Sequence, residues 1–246
     1  MKTKIALFVL AMLTSSLYSQ GKLESDLFES NGNKLELFFI GHGTLMFKYN
    51  DLVIHIDPLS SEYDYKELPD ADLILVTHEH GDHLDVKALN EIAVDGTVTF
   101  MPKACIDNLK QNYGAIMMNN GDTQEALGMK IEAIPSYNIE HKRASGQPYH
   151  PKGRGNAYIL TLGEKRILIG GDTENIPEMK ALKKIDIAFL PMNIPYTMTP
   201  KMVADLALAI KPKVLYPYHF GRTDPKELVD LLKNNPEIEV RVRELD

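Results

Sequence analysis

Thr77-His78-Glu79-His80-Gly81-Asp82-His83 follows directly on the apolar run Leu73-Ile74-Leu75-Val76, and this junction decides how the chain is read. On an extended segment His78 and His80 face the same side, because strand side chains alternate. Gly81 permits a sharp turn, after which Asp82 and His83 point back toward the same spot from the start of the next element. Three imidazoles and a carboxylate within six residues suit a divalent transition metal such as zinc. Packing four such groups together without a cation would be costly to desolvate. Glu79 alternates away from His78 and His80, which puts it behind the site or in solvent.

Working outward, other short β-rich runs also end in His or Asp. Leu52-Val53-Ile54-His55-Ile56 delivers Asp57-Pro58, and Arg166-Ile167-Leu168-Ile169 runs into Gly170-Gly171-Asp172. Val214-Leu215-Tyr216-Pro217-Tyr218 delivers His219. Runs this short and apolar suit strands covered on at least one face. Further strands are expected at 35–40, 45–49 and 129–134, with Asn50-Asp51 as a tight turn before Leu52. Between them lie helical stretches. Leu84, Val86, Leu89 and Ala93 suggest an apolar stripe just after the His cluster. Thr199-Pro200 and Asp224-Pro225 each read as an N-cap followed by Pro at the first helical position. Mixed strands and helices in two halves imply an α/β sandwich with helices covering two packed sheets. Polar residues at successive strand ends then converge on one edge.

The rest of the chain sets the context. A length of 246 residues with 44% apolar and 25% charged residues suits one large globular domain. Lys2 and Lys4 precede the apolar run Ile5 to Leu13, which gives way to Thr14-Ser15-Ser16-Leu17-Tyr18-Ser19-Gln20. This pattern of charge, short apolar core and small residues predicts a secretory signal peptide over residues 1–20, with a single domain over 21–246. Export to the periplasm or the extracellular space is the expectation. The apolar run is too short for a comfortable bilayer span, so no membrane partner is expected after cleavage. Cys105 is the only cysteine, so the fold cannot rest on a disulfide. The net charge of −7 argues against nonspecific nucleic-acid binding.

His78-x-His80-x-Asp82-His83 resembles the signature of the metallo-β-lactamase superfamily. Asp57-Pro58, Gly171-Asp172-Thr173 and His219-Phe220-Gly221 fall in that family's order. His150-Pro151-Lys152-Gly153, Gly155-Asn156-Ala157-Tyr158 and Tyr196-Thr197-Met198 are similar to a branch of small hydrolases akin to the ascorbate-phosphate lactonases. The resemblance implies a four-layer αββα sandwich and two zinc ions, with manganese or iron as substitutes. It places His78, His80 and a third His on one ion, and Asp82, His83 and His219 on the other. Asp172 bridges the two, and Asp82 and Asp172 are the catalytic carboxylates. The implied reaction is hydrolysis of a small ester, lactone or phosphodiester by a hydroxide between the metals. Asp57 orients a ligating His. Two other functions fit the same fold: redox chemistry at two irons, which would bring an acidic ligand in place of one His, and a non-catalytic metal-binding role.

The third His departs from the family's common pattern, since Pro135-Ser136-Tyr137-Asn138 follows the strand that usually supplies it. Asn138 is a poor zinc ligand. His150 is the preferred candidate and His141, between Glu140 and Lys142-Arg143, the weaker one. His42, in Gly41-His42-Gly43-Thr44, either faces the site or belongs to a plain tight turn. His55 reads as a core histidine. Lys152 and Arg154 are candidates for an anionic substrate group, and Tyr196 for an oxyanion or a stacking contact. Substrate and oligomeric state are not legible at this level.

Overall fold

The computed structural model describes residues 23–110 and 114–245. The leader expected over 1–20 lies outside the described residues. Two seven-stranded sheets are built in chain order. The first holds β1 (Ser25–Ser30), β2 (Asn33–Gly41), β3 (Thr44–Tyr49), β4 (Leu52–Ile56), β5 (Ala71–Leu75), β6 (Ala93–Met101) and β7 (Ile116–Met117). The second holds β8 (Thr123–Ala126), β9 (Met129–Ser136), β10 (Gly155–Leu162), β11 (Lys165–Ile169), β12 (Ile187–Pro191), β13 (Val214–Tyr218) and β14 (Glu239–Val240). In each sheet four antiparallel strands lead into parallel ones: β4 to β7 in the first, β11 to β14 in the second. The two halves thus share one topology, although the sequence carries no visible repeat.

Side-chain alternation assembles the layers. On β5, Leu73 and Leu75 enter the large core shared by both sheets, while Ile74, and Val76 just past the strand, enter a second core on the outer face. On β3, Leu45 and Phe47 face inward and Met46 outward in the same way. The sheets are joined by aromatic contacts: Phe39 on β2 lies 5.1 Å from Tyr216 on β13, and Phe47 lies 5.7 Å from Phe189 on β12. Each such fully buried side chain stabilises the sandwich by about 1.5–3 kcal/mol.

Helices α1 (Val86–Ile92) and α2 (Lys103–Asn108) cover the outer face of the first sheet through Ala88, Leu89, Ile92 and Cys105. Helices α3 (Pro177–Lys180), α4 (Pro200–Ile210) and α5 (Pro225–Leu232) pack on the second. The result is the expected four-layer αββα sandwich. Both predicted proline starts hold: the Thr199 side chain accepts from Met202 N–H, and that of Asp224 from Lys226 N–H. The stripe expected after the His cluster is corrected. Asp85 caps α1, so Leu84 lies before it; Val86 is exposed, and Ala93 opens β6. No helix among the described residues is long and apolar enough to cross a membrane.

Candidate metal centre

Strand ends of both sheets meet along one edge. The Asn156 N–H donates to the Thr77 carbonyl at 2.8 Å, and the His219 N–H donates to the His42 carbonyl at 3.0 Å. Three of these ends break the strand with a left-handed non-glycine residue: His42 (φ 51°), Asp57 (φ 44°) and His219 (φ 47°). Such backbone is costly and gathers at functional sites. Gly171, at φ 57°, is required for a further reason, since a Cβ there would sit 2.9 Å from the Asn156 carbonyl. This turn swings Asp172 into the space between the sheets' ends.

Two groups of ligand-type atoms result, one of His78, His80, His150 and Asp172, the other of His42, Asp82, His83 and His219. In the first, His78 Nε2 and His150 Nε2 lie 3.1 and 3.2 Å from His80 Nδ1. In the second, Asp82 Oδ2 lies 3.2 Å from His42 Nε2, 3.6 Å from His219 Nε2 and 3.9 Å from His83 Nε2. Asp172 belongs to both. Its Oδ2 is 3.1 Å from His150 Nε2 and 3.8 Å from His78 Nε2, while its Oδ1 is 3.5 Å from both His83 and His219 Nε2. The preferred third His, His150, is thus in the first group. His141 is elsewhere, with its Nδ1 2.8 Å from Glu174 Oε1.

Buried carboxylates and amides fix these rings. Asp57 is fully buried and accepts from the Thr77 N–H (2.7 Å), the Thr77 hydroxyl (2.6 Å) and His83 Nδ1 (2.8 Å). That bond turns His83 Nε2 toward the cluster. Asn138 Oδ1 accepts from both the N–H and the Nδ1 of His150. The Asn138 amide in turn donates to Glu174 Oε1 and to the Tyr196 carbonyl. Glu174, fully buried, also accepts the N–H groups of Ile139, Glu140 and His141 at 2.7 Å each. The contacts that Asn138 and Glu174 make around the candidate site are not visible in the sequence.

Electrostatics follow from crowding. Burial would raise the Asp172 carboxyl, but the His219 and His83 imidazoles and the His150 bond hold it well below the usual range. Burial pushes the His78 imidazole well down, with His83 adding to that, and it lowers His80 as well, with His150 adding there. His83 is the exception: burial opposes its protonation, but Asp172 and Asp57 outweigh that and push it up to about 9.

The family model of the beta-lactamase superfamily domain matches residues 36–219, a span containing every member of both groups. The chain belongs to the metallo-β-lactamase superfamily. Within it, the chain is 32% identical over 182 residues to a UPF0173 metal-dependent hydrolase of Thermococcus onnurineus, covering 69% of this chain and 78% of that one. A crystal structure from Parabacteroides distasonis, of a protein assigned as a metal-dependent hydrolase, is 46% identical, with a TM-score of 0.86 over 92% of this chain and all of that one. Igni18, a metallo hydrolase of Ignicoccus hospitalis, shares the fold at 22% identity, with a TM-score of 0.70 over 86% of this chain and 95% of that one.

Glu79 is in neither group and pairs with Arg154 at 2.6 Å. Lys152 pairs with Glu178 at 2.6 Å, so neither Lys152 nor Arg154 is a free cation for substrate. His55 is a core residue, fully buried, with Nε2 3.1 Å from the Pro69 carbonyl. His42, left open by the sequence, joins the second group. Beside the groups lies a cavity of about 460 Å³ whose wall includes Arg143, Tyr149, Asn193 and Tyr196. That volume is in the range of small-molecule sites.

Proposed function

We propose that this protein is a dinuclear metal-dependent hydrolase of an ester, lactone or phosphodiester. It acts on a small molecule and is exported through the leader at residues 1–20. The observation that carries the reading is the division of the Asp172 carboxylate, one oxygen toward each imidazole group.

The donor set fits two divalent ions. His83 Nε2, His219 Nε2 and Asp172 Oδ1 are buried without a hydrogen-bond partner, and all three belong to the second group. Buried polar atoms left unpaired cost free energy, and a cation there would satisfy them together. His78, His80 and His150 with Asp172 would hold one ion; Asp82, His83 and His219 with Asp172 would hold the other. His42 stands 3.2 Å from Asp82 and orients that carboxylate. The mixed N and O donors suit zinc, with manganese or iron as alternatives. When bound, the ions supply the acidity that makes hydroxide from water near neutral pH and the Lewis acidity that polarises the scissile oxygen.

This chain's residues do the rest. Asp57 and Asn138 each accept from the Nδ1 of His83 and His150, which leaves each Nε2 as the atom to hold a metal. Burial keeps His78 and His80 unprotonated and able to ligate. The cavity brings substrate against both groups. Three imidazoles in the first group favour hydrolysis over di-iron redox chemistry, which would bring a carboxylate in place of one of them. The open cavity favours turnover over a purely structural metal role.

The test is metal content per chain and turnover of ester, lactone and phosphodiester substrates. We expect two equivalents in wild type, about one in His150→Ala, and loss of turnover in Asp82→Ala and Asp172→Ala. A wild type that neither carries nor takes up metal overturns the reading.

A further inference from the structure

Lys152 and Arg154 are each paired with a carboxylate, which leaves Arg143 as the only Lys or Arg lining the cavity among the described residues. We propose that Arg143, with Tyr149 and Tyr196, forms a subsite for an anionic group that the substrate carries away from its scissile bond. This rests on the hydrolase reading and deepens it by naming a substrate class: anionic esters, lactones or phosphate-bearing equivalents.

The subsite is built by backbone as well as side chains. A small hairpin over residues 142–148 presents Arg143, closed by the Lys142–Pro148 bridge. Within it, Arg143 N–H donates to the Gln147 carbonyl and Gly146 N–H to the Arg143 carbonyl, both at 2.8 Å. The guanidinium carbon lies 5.0 Å from the centroid of the Tyr149 ring, and Nη2 donates to the Tyr149 carbonyl at 3.4 Å. Tyr149 in turn meets Tyr196 edge to face, 5.1 Å between centroids.

A guanidinium held against a ring keeps its remaining N–H edge free for a planar two-oxygen acceptor. Carboxylate and phosphate both offer that geometry. Among the described residues no carboxylate of the protein lies within ion-pair distance of Arg143, in a chain whose net charge is −7. Tyr149 is adjacent in sequence to His150, so the anion site and the first metal group share one segment. A substrate anchored at Arg143 therefore extends along the tyrosines toward Asp172.

Three 4-nitrophenyl esters test this on the metal-loaded protein: the neutral butyrate, the mono-glutarate with a terminal carboxylate, and the 4-phosphonobutanoate with a terminal phosphonate. We expect kcat/KM for at least one anionic ester to exceed that for the butyrate by roughly tenfold, carried mainly in KM. That ratio falls to about one in Arg143→Ala and only partly recovers in Arg143→Lys, which lacks the planar fork. The ranking of glutarate against phosphonobutanoate identifies the preferred anion. A ratio near one in wild type, or a ratio that survives Arg143→Ala, overturns the proposal. Calorimetric binding of phenylphosphonate to the same proteins separates the two readings. If no ester is cleaved but phenylphosphonate binds Arg143→Ala roughly tenfold more weakly than wild type, the ester form of the hydrolase reading fails and the subsite stands. Equal binding with no cleavage overturns both.

Discussion

Asn138 holds His150 at two points, its Oδ1 accepting from the His150 backbone N–H and from Nδ1, each at 2.8 Å. An amide too weak to ligate a metal thus sets the ring of a candidate ligand. Replacing it with Ala leaves His150 free to rotate and its Nδ1 without an acceptor. We expect Asn138→Ala to weaken metal at the first group by roughly 10–100-fold, the usual effect of losing such a partner. Asn138→Asp fares no better, because a carboxylate loses the two amide donations and faces Glu174. Metal content after dialysis against a weak chelator checks both; two retained equivalents in either variant would remove Asn138 from the site.

Asp57→Asn tests the other supported ring. The carboxylate accepts three bonds, from Thr77 N, Thr77 Oγ1 and His83 Nδ1. An amide keeps only one accepting oxygen, and its NH₂ turns toward a former donor. If His83 answers by accepting at Nδ1, its proton moves to Nε2 and points into the second group. The expected result is a roughly 10–100-fold loss of affinity there, with the first group spared. Stability should also fall by about 1–3 kcal/mol from the unpaired buried groups. Zinc titration against a chromogenic chelator, with urea unfolding of the metal-free protein, reads both.

Gly43 is a steric prediction rather than a polar one. A Cβ at this position would lie 2.9 Å from His83 Cε1 and 3.2 Å from His219 Cδ2. Neither ring has room to retreat, since His83 is fully buried and His219 nearly so. Gly43→Ala should displace both rings, cost about 1–3 kcal/mol in strain, and depress metal binding at the second group. Wild-type zinc stoichiometry and affinity in this variant would show that the approach is slack.

The strand ends were legible because each strand is a short apolar run that stops at a His or Asp. Leu52–Ile56 and Val214–Tyr218 appear with the bounds expected, and Asp57 and His219 follow them. The supporting residues were not legible, because their partners are distant in sequence. Asn138 reaches His150 across a loop, and Glu174 closes on residues 138–141 from the end of a different strand. Sequence does not show which cations already have carboxylates, so it does not separate Arg143 from Lys152 and Arg154. Leu84 and Ala93 share the apolar spacing of the helix after the His cluster but lie outside it. Its buried side is Ala88, Leu89 and Ile92, set by the Asp85 cap and ended where Ala93 turns into β6.

His55 gives a pH prediction independent of the metal groups. It is fully buried on the outer side of the first sheet, beside Tyr65, with Nδ1 lacking a partner. Burial pushes its imidazole down to about 4 from an ordinary 6.5. Above pH 6.5 the ring is neutral whether the chain is folded or not, and it contributes no pH dependence. Below 6.5 the unfolded chain binds a proton that the folded protein refuses until about pH 4, so stability falls with pH across that window. The full effect is of order 3 kcal/mol, of which about 2 kcal/mol develops by pH 5. His55→Gln keeps a donor for the Pro69 carbonyl and removes the titration. Urea unfolding of metal-free wild type and variant at pH 7 and pH 5 isolates the residue, because every other ionisable group is common to both. We expect the variant to lose about 2 kcal/mol less than wild type over that interval. Equal losses would mean that His55 accepts a proton in the folded state, and that its cavity admits the water or counter-charge this requires.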